Sequence, residues 1–141
     1  FFVGRGPFFP LALEGALKMK EITYIHAEGY AAGEIKHGPF ALLSPMTPVV
    51  ALCPQAESFP AMVSNIREMK ARGVPLIVIG DGKSQELRDI ADVLVPLPGE
   101  DIVSEVLGST VLLQLLAYRT AEALGREIDQ PRNLAKSVTV E

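Results

Sequence analysis

The sequence predicts an α/β fold, a parallel sheet with helices packed on both of its faces. Three observations carry this reading. Short runs of β-branched and apolar residues alternate with segments of helical period, the rhythm of right-handed βαβ units. Glycines and prolines stand where those runs stop, at Gly4, Pro54, Gly73, Gly80 and Gly125. A length of 141 residues, 48% hydrophobic and 21% charged, suits one domain with its own core and excludes a fibrous or unstructured chain.

Phe1–Val3 reads as a short strand, and Gly4-Arg5-Gly6-Pro7 turns out of it. From about Pro10 to Ile25 the apolar residues recur at helical spacing. A glycine-punctuated stretch (Gly29, Gly33, Gly38) follows without an assigned element. Pro48–Cys53 then reads as a buried strand that Pro54 ends. From Ser58 to about Arg72, Met62, Ile66 and Met69 mark a second amphipathic helix, with Gly73 at the glycine position beyond its end. Pro75–Gly80 is a strand buried on both faces. A short helix around Gln85–Ile90, a strand at Val93–Leu97 and a long, almost wholly apolar helix at Ser104–Leu124 complete the rhythm. The residues from Asp129 onward are not periodic enough for a helix and not polar enough for a solvated tail. The chain opens inside a strand and without a methionine, so it reads as a piece cut from something longer.

Charge and cysteine usage narrow the function. Thirteen Lys and Arg against 17 Asp and Glu leave a net charge of −4, which argues against nucleic acid as a partner. The single cysteine, Cys53, excludes an internal disulfide and any cysteine-based zinc cluster, and suits a reducing cytoplasm. Uninterrupted apolar runs fall short of the ~18 residues of a membrane span, and no secretory leader opens the chain.

The first helix carries the most informative chemistry. At 100° per residue, Glu14, Lys18 and Glu21 fall within about 60° of one another, a narrow charged stripe on an otherwise apolar helix. The stripe reads either as a solvated face, with Glu14 and Lys18 in the favourable i,i+4 order, or as charges facing a cleft or partner on a mainly buried helix. His37 lies in Gly33-Glu34-Ile35-Lys36-His37-Gly38-Pro39, where flanking glycines allow close backbone approach to a ligand. It reads equally as a histidine in a surface turn. His26 reads as structural, without polar companions, and its spacing from His37 matches no compact metal motif. Gly80-Asp81-Gly82-Lys83-Ser84 lacks the glycine spacing of a phosphate-binding P-loop, and Gly4-Arg5-Gly6 lacks the third glycine of a dinucleotide fingerprint. Both read as plain turns, and Cys53 as a small core residue. Lys136 becomes a nucleophilic amine only where the tail folds over a cleft and desolvates it.

Three segments together resemble one family. They are Gly4-Arg5-Gly6 with Leu11–Glu21, then His26-Ala27-Glu28-Gly29-Tyr30 through Gly33–Pro39, and the tail 129–141 ending Lys136-Ser137-Val138-Thr139-Val140-Glu141. In these the chain resembles the C-terminal half of the isomerase domain of the glutamine–fructose-6-phosphate aminotransferases (glucosamine-6-phosphate synthases). The resemblance implies the SIS (sugar isomerase) fold over residues 1–141, a three-layer αβα sandwich about a five-stranded parallel sheet, with the tail 126–141 over the active site. It implies that Lys136 forms a Schiff base with C2 of fructose 6-phosphate and that Glu21 moves the proton between C1 and C2. His37 would assist ring opening, reaching into the neighbouring subunit of a homodimer, and Lys18 would assist acid–base steps. Glu14 and Ala135 are implied as substrate contacts. No metal or organic cofactor is implied. The family's phosphate-binding loop lies in the first SIS half and its glutaminase cysteine in an N-terminal domain, so this chain alone is not expected to make glucosamine 6-phosphate. Met19 and Ile35 replace leucines common in the family, both volume-conserving changes. A non-catalytic phosphosugar-binding module and another phosphosugar isomerase, deaminase or deglycase remain the competing readings; a flavodoxin-like nucleotide binder rests on Gly80–Ser84 alone.

Overall fold

A computed structural model of the chain describes residues 1–54, 57–97 and 101–133. It contains strands β1 (Phe2–Gly4), β2 (Gly29–Ala31), β3 (Val49–Cys53), β4 (Leu76–Gly80) and β5 (Val93–Pro96). The helices are α1 (Phe8–Thr23), α2 (Phe59–Lys70), α3 (Gln85–Ile90) and α4 (Ile102–Ala123), with single 3-10 turns at Ile35–His37 and Pro39–Leu42. The strands form one parallel sheet in the order β2-β1-β3-β4-β5. The expected three-layer α/β architecture is therefore present.

Alternation along the strands divides the core in two. Val49, Ala51 and Cys53 point to one face with Val78 and meet Met62, Ile66 and Met69 of α2 and Leu87 of α3. Val50 and Leu52 point to the other face with Phe2 and Ile79 and meet Phe8, Ala12 and Ala16 of α1 and Leu113 and Ala117 of α4. Helices α1 and α4 approach closely because Gly15 has no side chain; a Cβ there would lie 2.8 Å from Leu113 Cδ2.

Three local expectations are corrected. The glycine-punctuated stretch contains β2, which pairs Phe2 with Gly29 and Gly4 with Ala31. Both long helices start earlier than periodicity indicates: α1 at Phe8, and α4 at Ile102, where the Asp101 side chain accepts the Val103 and Ser104 N–H groups. Burial of the two apolar helices is also less complete than their composition suggests. Leu13 and Leu17 of α1 are 44% and 41% exposed, and α4 buries only the stripe Glu105, Ser109, Leu113, Ala117 and Ala121. By length and composition alone, α4 would suffice to cross a membrane; here that inward stripe packs into the sandwich.

Candidate functional site

The three charges of α1 do form one cluster. Lys18 Nζ donates to Glu21 Oε2 at 2.9 Å and lies 3.6 Å from Glu14 Oε1. Each side chain is roughly one-third exposed, so this is neither a fully solvated face nor a buried ion triad. The hydrogen bond to Glu21, with the charges of both carboxylates, raises the Lys18 pKa above its ordinary value against the opposing cost of desolvation. Lys18 is therefore held as a cation, suited to steering charge and unsuited to attacking a carbonyl.

Glu21 lies in the last turn of α1, and local structure there sends the chain sharply away. The Thr23 hydroxyl donates to Met19 O and accepts the Ile25 N–H, while Tyr24 adopts a left-handed conformation with φ 65 and ψ 15. An open cavity of about 450 Å³ results, lined by Lys20, Glu21, Tyr24, Ile25, His26, Arg132 and Asn133. The segment after α4 thus returns to the end of α1. Pro131 is buried, and the Arg132 N–H donates to Tyr24 Oη at 3.0 Å. The Arg132 guanidinium lies over the Tyr24 ring at 4.0 Å from its centroid, and that of Arg126 at 5.5 Å. Lys136 and Ala135 belong to 134–141, outside the described residues.

His37 ends the first 3-10 turn, is mostly exposed, and is not among the residues lining the Glu21 cavity. His26 departs from its expectation: it is exposed, and Nε2 lies 3.2 Å from Glu28 Oε1, so it does have a polar companion. Glu28 also accepts the Tyr30 hydroxyl, which holds the Glu28 carboxyl below its usual range and pushes the Tyr30 phenol up to about 12. Sequence reasoning missed Tyr24, Arg126 and Arg132. An aromatic where a helix usually places glycine was the available signal, but its partner lies 108 residues away.

A second cavity, of about 500 Å³, opens where the strand order reverses, between the carboxyl ends of β1 and β3. Its lining includes Arg5, Gly6, Glu57 and Ser58. This is where such sheets commonly bind ligands. None of the predicted site residues among the described ones lines it, because α1 runs back across the sheet and carries Glu21 to the opposite end. The Gly80–Ser84 turn is an ordinary βα connection: Asp81 accepts the Lys83 N–H, and Ser84 caps α3 by accepting the Leu87 N–H. Burial pushes the Cys53 thiol up to about 12, as a core residue requires. Among the described residues no three His, Cys, Asp or Glu side chains converge as a metal site.

The SIS domain family matches residues 1–122, most of the chain and all five strands. The chain belongs to that family. As a SIS domain it is 55% identical, over its full length, to the glutamine–fructose-6-phosphate aminotransferase [isomerizing] of Methanosarcina acetivorans. It spans only 23% of that relative's length. In solved structures, this SIS domain resembles the C-terminal domain of a glucosamine-fructose-6-phosphate aminotransferase from Francisella tularensis. That match has TM-score 0.81 and 40% identity, covering 90% of this chain and 36% of that one. A glucosamine-6-phosphate deaminase from Thermotoga maritima is also similar, with TM-score 0.73 and 28% identity over 97% of this chain and 39% of that one.

Proposed function

We propose that this SIS domain is the C-terminal isomerase half of a glutamine–fructose-6-phosphate aminotransferase, working in a longer chain that makes glucosamine 6-phosphate for amino-sugar biosynthesis. The observation that carries the reading is the cavity at the end of α1, where Glu21 meets Arg132 and Asn133, just ahead of Lys136 in sequence. Identity to aminotransferases over the full chain points the same way.

In this reading the neutral Lys136 amine adds to the C2 carbonyl of open-chain fructose 6-phosphate and, with loss of water, forms an iminium. Ammonia from glutamine displaces the lysine and leaves an imine at C2. The Glu21 carboxylate takes the C1 proton, whose acidity the charged imine raises, and returns it to C2, while O1 gives up its hydroxyl proton to solvent and becomes the C1 carbonyl of the aldose amine. Lys18 stays protonated beside Glu21 and tunes its charge, with Glu14 and Ala135 contacting substrate. His37, exposed here, assists ring opening in the neighbouring subunit of a homodimer. The glutaminase domain and first SIS half lie elsewhere in the longer chain. The chemistry calls for no metal or organic cofactor, and the setting is the cytoplasm.

The test is borohydride trapping on the full-length parent protein supplied with fructose 6-phosphate, followed by peptide mass spectrometry. A reduced sugar adduct on Lys136, absent in Lys136→Ala, is expected. Phosphosugar binding without any adduct would instead favour a non-covalent isomerase or a sensing module.

A further inference from the structure

We propose that Tyr24 is a positioning residue: it anchors the returning chain at Arg132 on the rim of the Glu21 cavity, and the reaction of Lys136 depends on that anchor. The proposal rests on the reading of Glu21 and Lys136 given above. Its first support is a backbone oddity. Among the described residues Tyr24 is the only non-glycine with positive φ. Helices that end this way usually place glycine or asparagine there, because a Cβ crowds the left-handed conformation. An aromatic side chain held against that preference is a reason to look for what it does.

What it does is hold the returning chain. Its hydroxyl accepts the Arg132 N–H at 3.0 Å, and its ring sits beneath the Arg132 and Arg126 guanidinium groups. These contacts combine a directional hydrogen bond with cation–π attraction. Pro131, immediately before, is buried, so the chain is pinned on two consecutive residues. Glu21 lies one helical turn before Tyr24 and borders the same cavity as Arg132 and Asn133. From Asn133 to Lys136 is three residues, a reach of at most about 11 Å. An anchor that close in sequence to the reacting amine limits the volume the amine can sample, and misplacement by about 1 Å can cost about 100-fold in rate.

The backbone oddity makes the test clean. In the full-length enzyme, Tyr24→Gly removes the anchor while relieving the strained conformation, and Tyr24→Phe keeps the ring but removes the hydroxyl. Three quantities are read: Tm, amide exchange at Arg132, and the rate of borohydride trapping at Lys136 with fructose 6-phosphate. Tyr24→Gly is expected to keep or raise Tm, speed Arg132 exchange about tenfold or more, and slow trapping and kcat by about 10- to 100-fold, with KM moving less. Tyr24→Phe should recover part of the trapping rate. Trapping at the wild-type rate in Tyr24→Gly, or unchanged Arg132 exchange in both variants, overturns the proposal. So does activity that falls only in step with Tm across both variants, which marks a merely structural tyrosine. Faster Arg132 exchange combined with no Lys136 adduct in the wild type means that the anchor exists and the lysine assignment is wrong.

Discussion

Lys18 owes its character to two carboxylates on its own helix, at 2.9 and 3.6 Å. Its pKa is raised, so the pairing is fully present below the ordinary lysine value of 10.5 and is lost only as pH rises through the higher folded value. An activity limb seen between pH 6 and 9 should therefore survive Lys18→Arg, which titration profiles of the two proteins would check. With a partly exposed side chain at a helix terminus, Glu21→Gln should leave the fold intact yet lower kcat about 10²- to 10⁴-fold, the usual contribution of a general base. Cys53 predicts the opposite behaviour. With its thiol pushed to about 12 and fully buried, it should resist alkylation at pH 8 until the protein is unfolded. The Glu14, Lys18 and Glu21 cluster was legible in sequence because helical periodicity is local. The Tyr24 to Arg132 contact was not, because no local pattern joins residues 108 apart.

At the level of elements, β2 shows why short strands escape pattern reading. Three residues, Gly29-Tyr30-Ala31, are too few for alternation to register, and the strand exists through its pairing with β1. Gly29 is required there. A Cβ would stand 2.8 Å from Leu13 Cα and 2.9 Å from Ala12 O, contacts with the backbone of α1 that cannot rotate away. Gly29→Ala should cost about 1–3 kcal/mol in a urea titration and also disturb activity by shifting the helix that carries Glu21. The start of β4 is tied differently: Asp92 accepts the Leu76 N–H at 2.7 Å and pairs with Lys70 of α2. The Lys70 hydrogen bond, seconded by the Leu76 N–H, lowers the Asp92 pKa below its ordinary 3.8. Its contribution is thus present above that value and is lost as pH falls through the lower folded one. Asp92→Asn should flatten that part of an acid-unfolding curve monitored by circular dichroism. The helices and long strands were legible because each is longer than its own repeat, whereas the first turn of α4 depends on the Asp101 and Ser104 cap.

For the whole molecule, the sandwich is unevenly covered. Val103, Leu107, Val111 and Leu115 recur along the outer side of α4, each about half exposed or more. Beside them Leu112, Leu115 and Leu116 line a shallow apolar groove of about 220 Å³ floored by Ile77, Ile79 and Val95. Patches of this kind drive association. The isolated 141-residue chain should sediment with a concentration-dependent mass, and Leu107→Lys with Val111→Glu should reduce it. Hydrophobic runs made the α/β class legible; which faces stay open was not, because composition reports how apolar a helix is and not what lies against it. The strand order carries a kinetic consequence as well. No neighbouring strands are joined by a hairpin, and β1, an interior strand, must find Gly29 on one side and Val50 on the other. Its nearest partner lies a full crossover away, so refolding should run in the millisecond-to-second range of non-local topologies, not in microseconds. On the ribosome β1 emerges ahead of both partners, leaving an interior strand of the sheet as the piece that waits longest for its hydrogen bonds.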